Sequence, residues 1–114
     1  MRTVTLGVSS IHDAQRQLGV AFRGEYVGEF ISFATVELLW KVLTAKRWEI
    51  LQAMTGQGEM TIREIARRID RDVKAVHGDV QALLLAGVLD RAESGRVVFP
   101  YDAVRVDFTL RKAA

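Results

Sequence analysis

The chain of 114 residues contains no cysteine, a single proline and two histidines. Without cysteine it forms neither disulfide bonds nor thiolate zinc sites, and this fits the reducing cytoplasm, which is the location we predict. The chain also has no large excess of positive or negative charge, because 16 basic and 14 acidic side chains leave a net charge of +2. The sequence therefore indicates nucleic-acid binding only if its basic residues lie together on one surface.

Residues suited to catalysis or metal binding are also few. His12 and His77 fall in different predicted elements and lack the spacing of metal ligands. There is no glycine-rich phosphate loop and no recognisable nucleophile–base pair, so we expect a protein that is not an enzyme and binds no cofactor or metal. The N-terminal segment, with one basic residue and a short apolar run, is typical of neither a signal peptide nor a membrane span, and we expect no membrane partner.

The hydrophobic pattern predicts an α+β protein that is mainly α and has two parts. Residues 1–33 are predicted to form an N-terminal strand-helix extension for dimerisation or partner binding. Its elements are a strand at 3–8, a helix at 11–23 and a second strand at 30–33. The elements predicted for residues 34–114 are helices at 36–43, 45–55, 62–69 and 73–85, and strands at 88–91, 97–99 and 104–110.

Short polar residues mark the start of each of these four helices. The T-I-R-E stretch is a capping box, in which the Thr61 hydroxyl accepts the Glu64 N–H and the Glu64 carboxylate reaches back. The predicted N-cap residues are Thr35, Thr44, Thr61 and Asp72. The inner stripe of the last helix is predicted to be Val73, Val76, Val80, Leu83 and Leu84.

Two short helices joined by a tight turn and followed by a hairpin are the order of a winged helix-turn-helix with a two-stranded wing. In that fold the second helix enters the DNA major groove. Its outermost residues here are predicted to be Arg71, Lys74, Ala75, Gly78 and Ala82. A stripe of such small residues lets a helix backbone approach DNA closely, and arginine or lysine can bind guanine. A tolerated exposed glycine, at a cost of about 1 kcal/mol, is the alternative explanation of Gly78.

Further basic residues are candidates for the same surface. Arg63 and Arg67 stand four residues apart on an outward helical face, where their repulsion costs about 0.2–0.5 kcal/mol unless an anion relieves it. Arg91 and Arg96 flank the hairpin tip, from which they can reach the DNA backbone or minor groove. A charged, solvated surface is the alternative explanation for all four.

Two residues of this set have stronger structural alternatives. Arg68 is placed to pair with Glu64, and His77 is placed to pack at a core boundary. The full set of predicted DNA contacts is Thr61, Arg63, Arg67, Arg68, Arg71, Lys74, Ala75, His77, Gly78, Gln81, Arg91 and Arg96.

The apolar surface is larger than a winged-helix core of this size needs. The helix at 36–43 is apolar nearly all round, so we expect it to be buried in the domain or between subunits. The last strand alternates Val104, Val106, Phe108 and Leu110 with polar residues, which predicts one buried face. The residues predicted to form a dimer or partner interface are Val4, Leu6, Leu18, Phe22, Leu39, Trp40 and Phe108.

Three stretches resemble a family of small prokaryotic winged helix-turn-helix proteins. They are F-A-T-V-E-L-L-W-K-V-L-T-A-K-R-W-E-I-L, T-I-R-E-I-A-R-R-I-D-R-D-V-K-A-V-H-G-D-V-Q-A-L-L-L-A-G-V-L-D-R and G-R-V-V-F-P-Y-D-A-V-R-V-D-F. That family is related to MarR-like transcriptional regulators, and many members resemble the antitoxin half of a type II toxin–antitoxin pair. The resemblance implies binding of double-stranded DNA as a homodimer, near the protein's own gene, and a protein toxin as a partner.

Two functions therefore remain open. One is a sequence-specific, dimeric DNA-binding repressor whose second helix reads the operator. The other is a protein-interaction module that mainly sequesters a toxin or another partner without specific DNA binding. The two functions differ in whether Arg71, Lys74 and Arg96 face DNA or a protein.

Overall fold

The computed structural model describes residues 2–8, 29–110 and 112, and it confirms the α+β class. The predicted helix at 11–23, and with it Leu18, Phe22 and His12, lies outside the described residues. The described elements are β1 (Thr3–Val8), β2 (Glu29–Phe33), α1 (Val36–Val42), α2 (Ala45–Met54), α3 (Ile62–Ile69), α4 (Val73–Leu85), β3 (Asp90–Arg91), β4 (Val97–Val98) and β5 (Ala103–Asp107).

The four predicted N-caps are confirmed. Each side chain accepts a hydrogen bond from the backbone N–H three residues later, at 3.1 to 3.3 Å. At α3 the Glu64 carboxylate also accepts the Thr61 N–H, which completes the predicted capping box. Because these short polar side chains satisfy N–H groups that have no partner within the helix, each helix begins where the sequence predicts.

A tight turn sets the angle between α3 and α4. Asp70 takes the left-handed conformation, with φ of 53°, and ends α3. The Arg71 N–H then donates to the Ala66 carbonyl at 3.0 Å, so the chain reverses within the last turn of α3. Gly87, with φ of 79°, takes the same left-handed conformation directly after α4 and its C-cap Ala86.

One core unites the helices and strands. Its helical part comes mainly from α2, α3 and α4, with Leu39 from α1, and its remaining part comes from the strands and the segments that join the elements. The buried apolar side chains are Val4, Leu6, Phe33, Leu39, Ile50, Leu51, Met54, Met60, Ile65, Ala66, Val76, Val80, Leu83, Val88, Leu89, Val97 and Phe99. The predicted inner stripe of α4 is therefore largely correct, but Val73 is 43% exposed.

Three parallel strands form a sheet in the order β2-β1-β5. Strand β1 lies in the centre, and its Val4 and Leu6 are fully buried. The expectation that these two residues form a dimer or partner interface is therefore wrong, because their own sheet and core already cover them. The same holds for Leu39, which is the buried residue of α1.

Several apolar residues of α1 and the last strand are less covered than the sequence predicts. Trp40 of α1 is 58% exposed, and Leu38 is exposed as well, so α1 is not buried within the domain. Strand β5 ends at Asp107, and beyond it Phe108 and Leu110 are exposed. The expected buried face of the last strand is therefore wrong for the isolated chain, apart from half-buried Val104.

The hairpin of β3 and β4 is antiparallel, and it is tied to the helices by a β-bridge. Met60, just before α3, exchanges two hydrogen bonds of 2.8 Å with Val97 of β4. Since Met60 and Val97 are buried, the hairpin is fixed relative to the start of α3.

Close packing of β1 against β5 gives the first testable expectation. A Cβ atom at Gly7 would lie 2.8 Å from the Asp107 carbonyl oxygen and 2.8 Å from Phe30 Cζ. Because a backbone atom cannot move aside alone, we expect Gly7→Ala to lower the free energy of unfolding by about 1–3 kcal/mol. Urea unfolding followed by circular dichroism measures this.

Gly78→Ala is the matched control for the Gly7 substitution. Nothing lies within 4 Å of a Cβ atom at Gly78, so alanine meets no obstacle there. Its higher helix propensity is expected to raise the free energy of unfolding by up to about 1 kcal/mol. Wild-type stability of the Gly7→Ala variant would contradict the close contact between β1 and β5.

Candidate nucleic-acid interface

The outer face of α4 is as bare as the sequence predicts. Lys74, Ala75 and Gly78 are exposed, and open space surrounds the Gly78 Cα atom. Ala82 is half-buried, so the bare stripe covers the first half of the helix. The predicted contact residues His77, which is exposed, and Gln81, which is half-buried, lie on the same helix.

Arg71 does not belong to this outer face, contrary to the sequence-based prediction. It precedes the N-cap of α4, and its side chain is only 16% exposed. Its Nη2 atom donates to Asp79 at 2.8 Å. The helical periodicity was applied to Arg71 as if it belonged to α4, and this gave it an outward position. The helix begins only after the N-cap Asp72, so that periodicity does not hold for Arg71. Arg71 therefore stabilises α4 from the inside, and it is not placed to reach a ligand.

Asp79 joins α4 to two further parts of the chain. Besides the bond from Arg71, it accepts a hydrogen bond of 3.1 Å from Arg47 Nε of α2. Arg47 Nη1 also donates to the carbonyls of Val42 at 3.0 Å and Lys41 at 3.3 Å, at the end of α1. One carboxylate thus links α4, α2 and the end of α1 through two half-buried ion pairs.

Two opposing effects act on the pKa of Asp79. Burial raises the pKa, because it disfavours the charged carboxylate. Hydrogen bonds and charge from Arg71 and Arg47 lower it by more, so the pKa lies below its ordinary value. Asp79 is therefore ionised in the folded protein over a wider pH range than an exposed aspartate.

A groove lies between the start of α3, the start of α4 and the hairpin. It has a volume of about 510 Å³. Exposed Val73 and His77 line it on the α4 side, which explains why Val73 is not part of the core. Arg63, Arg91 and Arg96 line it from α3 and the hairpin. The fold thus brings together basic residues that are up to 33 positions apart in the sequence, from Arg63 to Arg96.

The arginines of this groove are available to bind an anion. None of the ion pairs among the described residues includes Arg63, Arg91 or Arg96. Arg91 donates to the Gly95 carbonyl at 2.8 Å and supports the hairpin tip. Arg96 donates its backbone N–H to Ser94 Oγ at 3.2 Å, a bond that does not involve its guanidinium group.

The remaining predicted contacts on α3 have mixed positions. Arg67 is exposed, as expected. Arg68 is exposed and donates to Gln57 Oε1 at 2.8 Å, so the expected pair with Glu64 is wrong. Glu64 is instead engaged by Thr61, whose hydrogen bonds are the main reason that the pKa of Glu64 is lowered. The Thr61 hydroxyl donates to Glu64 as well as accepting from it, and both interactions hold the first turn of α3 at the groove.

Among residues 2–8, 29–110 and 112, no group of three or more His, Cys, Asp or Glu side chains is arranged to hold a metal ion. The helices of these residues are all too short or too polar to cross a membrane.

The fold and site define a small α+β protein with a basic groove between a helix pair and a hairpin. The chain belongs to the HVO_A0114 family, whose sequence model matches residues 42–106. This match spans α2 to β4 and most of β5, and it includes every residue of the groove. No curated protein and no solved structure matches the chain.

Asp79→Asn tests the role of the two ion pairs. We expect it to lower the free energy of unfolding near neutral pH by about 1.5–3 kcal/mol, because two charge-assisted hydrogen bonds are weakened. The folded-state pKa of Asp79 is depressed, so its stabilising contribution is present above the unfolded-state pKa and is lost as pH falls through the folded-state pKa.

The difference in the free energy of unfolding between wild type and Asp79→Asn should therefore become smaller at acidic pH. Urea unfolding of both proteins, from neutral pH down to the range below the usual aspartate pKa, measures it. A difference that stays constant over this range would show that the Asp79 charge does not stabilise the fold. Asp72→Asn serves as a control. This substitution also removes one carboxylate charge, but the exposed N-cap residue keeps a side-chain oxygen that accepts the Ala75 N–H.

Proposed function

We propose that the protein is a sequence-specific DNA-binding transcriptional regulator that acts as a homodimeric repressor. In this proposal α3 and α4 form the helix-turn-helix of a winged helix, and β3 and β4 form its wing. The observation that carries the proposal is the convergence of Arg63, Arg91 and Arg96 on a groove beside the bare face of α4.

The two parts of this surface suit different parts of a DNA duplex. Phosphates are bound mainly by arginine, lysine and backbone N–H groups, and these contacts position a protein without reading sequence. Arg63 and Arg96 line the groove from different elements, α3 and the hairpin, and suit a phosphate strand that passes along it. The bare stripe at Ala75 and Gly78 suits a helix backbone close to base edges, with Lys74 placed for guanine.

A protein partner is a second function with its own supporting observation. Exposed Trp40, Val106 and Phe108 line an apolar groove that shares no residue with the basic one. One chain can therefore bind DNA and protein through separate surfaces. A toxin as that protein is an expectation from the family resemblance alone.

DNA binding is tested by fluorescence anisotropy with the duplex upstream of the protein's own gene and with a random duplex. If each subunit of a dimer neutralises about four phosphates, the slope of log affinity against log salt is about −7. Arg63→Ala with Arg96→Ala removes about four of these contacts per dimer, so the slope should fall to about −3.5.

Lys41→Ala with Lys46→Ala is the matched control for this pair of substitutions. It removes the same charge from exposed residues of α1 and α2 that do not line the basic groove. Its salt dependence should stay close to that of wild type. Equal, weak binding of wild type to both duplexes, unchanged by the arginine substitutions, would overturn the proposal.

A substitution at Gly78 distinguishes two explanations of this glycine: close approach of the α4 backbone to DNA, and simple tolerance of a glycine at an exposed position. Gly78→Gln is expected to preserve or raise stability, since the position is open, while it obstructs the approach of α4 to base edges. We expect specific affinity to fall at least about tenfold, with a smaller change on random DNA, since discrimination at one base pair is worth about 1–3 kcal/mol. Unchanged specific affinity would show that Gly78 is only tolerated.

A further inference from the structure

Among the residues that the structure describes, strand β5 has an unpaired edge. It pairs with β1 on one side and is the last strand of the sheet on the other. The Ala103 N–H donates to the Arg2 carbonyl. Because the backbone groups of successive residues in a strand point to opposite sides, those of Ala103, Arg105 and Asp107 face β1. The backbone groups of Val104 and Val106 therefore point to the open edge, which is a template for another strand.

Within the described ranges, the apolar side of this edge is left exposed. Trp40 and Phe108 meet edge to face, with ring centroids 5.9 Å apart, yet they are 58% and 40% exposed. With Val106, Leu39 and Trp48 they line an open groove of about 420 Å³. Exposed apolar surface that adjoins an unpaired strand is typical of an interaction site.

The charges of β5 identify the strand that fits this edge. Arg105 and Asp107 lie one residue on either side of Val106, and both are exposed. Within one chain they form a loose ion pair of 3.9 Å on the surface, which leaves both side chains able to meet a second strand. When two such strands pair antiparallel about a two-fold axis at Val106, Arg105 of each copy stands opposite Asp107 of the other. Phe108 then stands opposite Val104, which is a favourable aromatic–aliphatic pair. No like charges meet.

We propose that a second copy of this chain occupies the β5 edge, so that the two three-stranded sheets become one continuous sheet across a two-fold axis. The proposal specifies the homodimer of the proposed function, and it does not depend on DNA binding. The opposite edge fits less well, because self-pairing of β2 about Ile31 brings no opposite charges together. A two-fold dimer requires such a self-complementary patch.

A charge exchange tests the pairing. Arg105→Asp places like charges opposite each other twice, and we expect it to weaken self-association about tenfold. Arg105→Asp combined with Asp107→Arg restores opposite charges and should restore the dimer. Sedimentation equilibrium without DNA measures both, and circular dichroism confirms that each variant is folded. A monomeric wild type, or a double variant as weak as the single one, would overturn the proposal.

The absence of cysteine allows a second, independent test. Opposed residues on the two-fold axis of a hydrogen-bonded antiparallel pair have Cα atoms about 5.5 Å apart, which a disulfide can span. Val106→Cys should therefore form a covalent dimer on mild oxidation. Leu85→Cys, on an exposed position of α4, should not. Equal cross-linking of both variants, or none at Val106→Cys, would contradict the pairing.

The outcomes separate this proposal from DNA binding. The Arg63→Ala and Arg96→Ala variant should remain dimeric while its DNA affinity falls. A dimer that cross-links through Val106→Cys but binds no DNA would support the β5 interface and overturn the proposed regulator. Specific DNA binding by a protein that stays monomeric would overturn the β5 interface and the homodimer, and it would support only DNA recognition.

Discussion

The Asp79 carboxylate is the interaction on which the candidate interface depends. It receives Arg71 from the turn before α4 and Arg47 from α2, and Arg47 in turn binds the last carbonyls of α1. Burial disfavours its charge, and the two guanidinium groups more than offset this effect. Removal of either arginine would leave a poorly solvated charge, so the two pairs fix α4 in one orientation relative to the rest of the chain.

That orientation determines what α4 presents to solvent. With Arg71 held inward, the exposed start of the helix consists of Lys74, Ala75 and Gly78, together with the groove residue Val73. The bridge between Met60 and Val97 fixes the hairpin on the other side of the groove. The proposed DNA-binding surface is thus held by two ion pairs at α4 and by a β-bridge at the hairpin.

The sequence predicts the local features of this fold well and its long-range pairings poorly. Helix starts were predictable because a cap such as Thr61 contacts N–H groups within the same turn. The exposure of Gly78 followed from helical periodicity. The parallel sheet did not, because alternation in β1 and β5 reveals neither partner nor direction across about 100 residues. The same limit hid the Arg47–Asp79 pair and led to the wrong placement of Val4. Arg71 was misplaced for a local reason, because the helical wheel was extended past the N-cap Asp72.

The most direct test of the proposed regulator is to record amide NMR spectra of the protein during titration with the duplex upstream of its own gene. The account predicts that the largest shifts fall on residues 61–63, 73–78 and 94–96, around the basic groove. The amides of β5, which the proposed dimer already buries, should change little. Shifts concentrated at Trp40 and β5, with none on α4, would contradict the account and locate the ligand on the apolar surface instead.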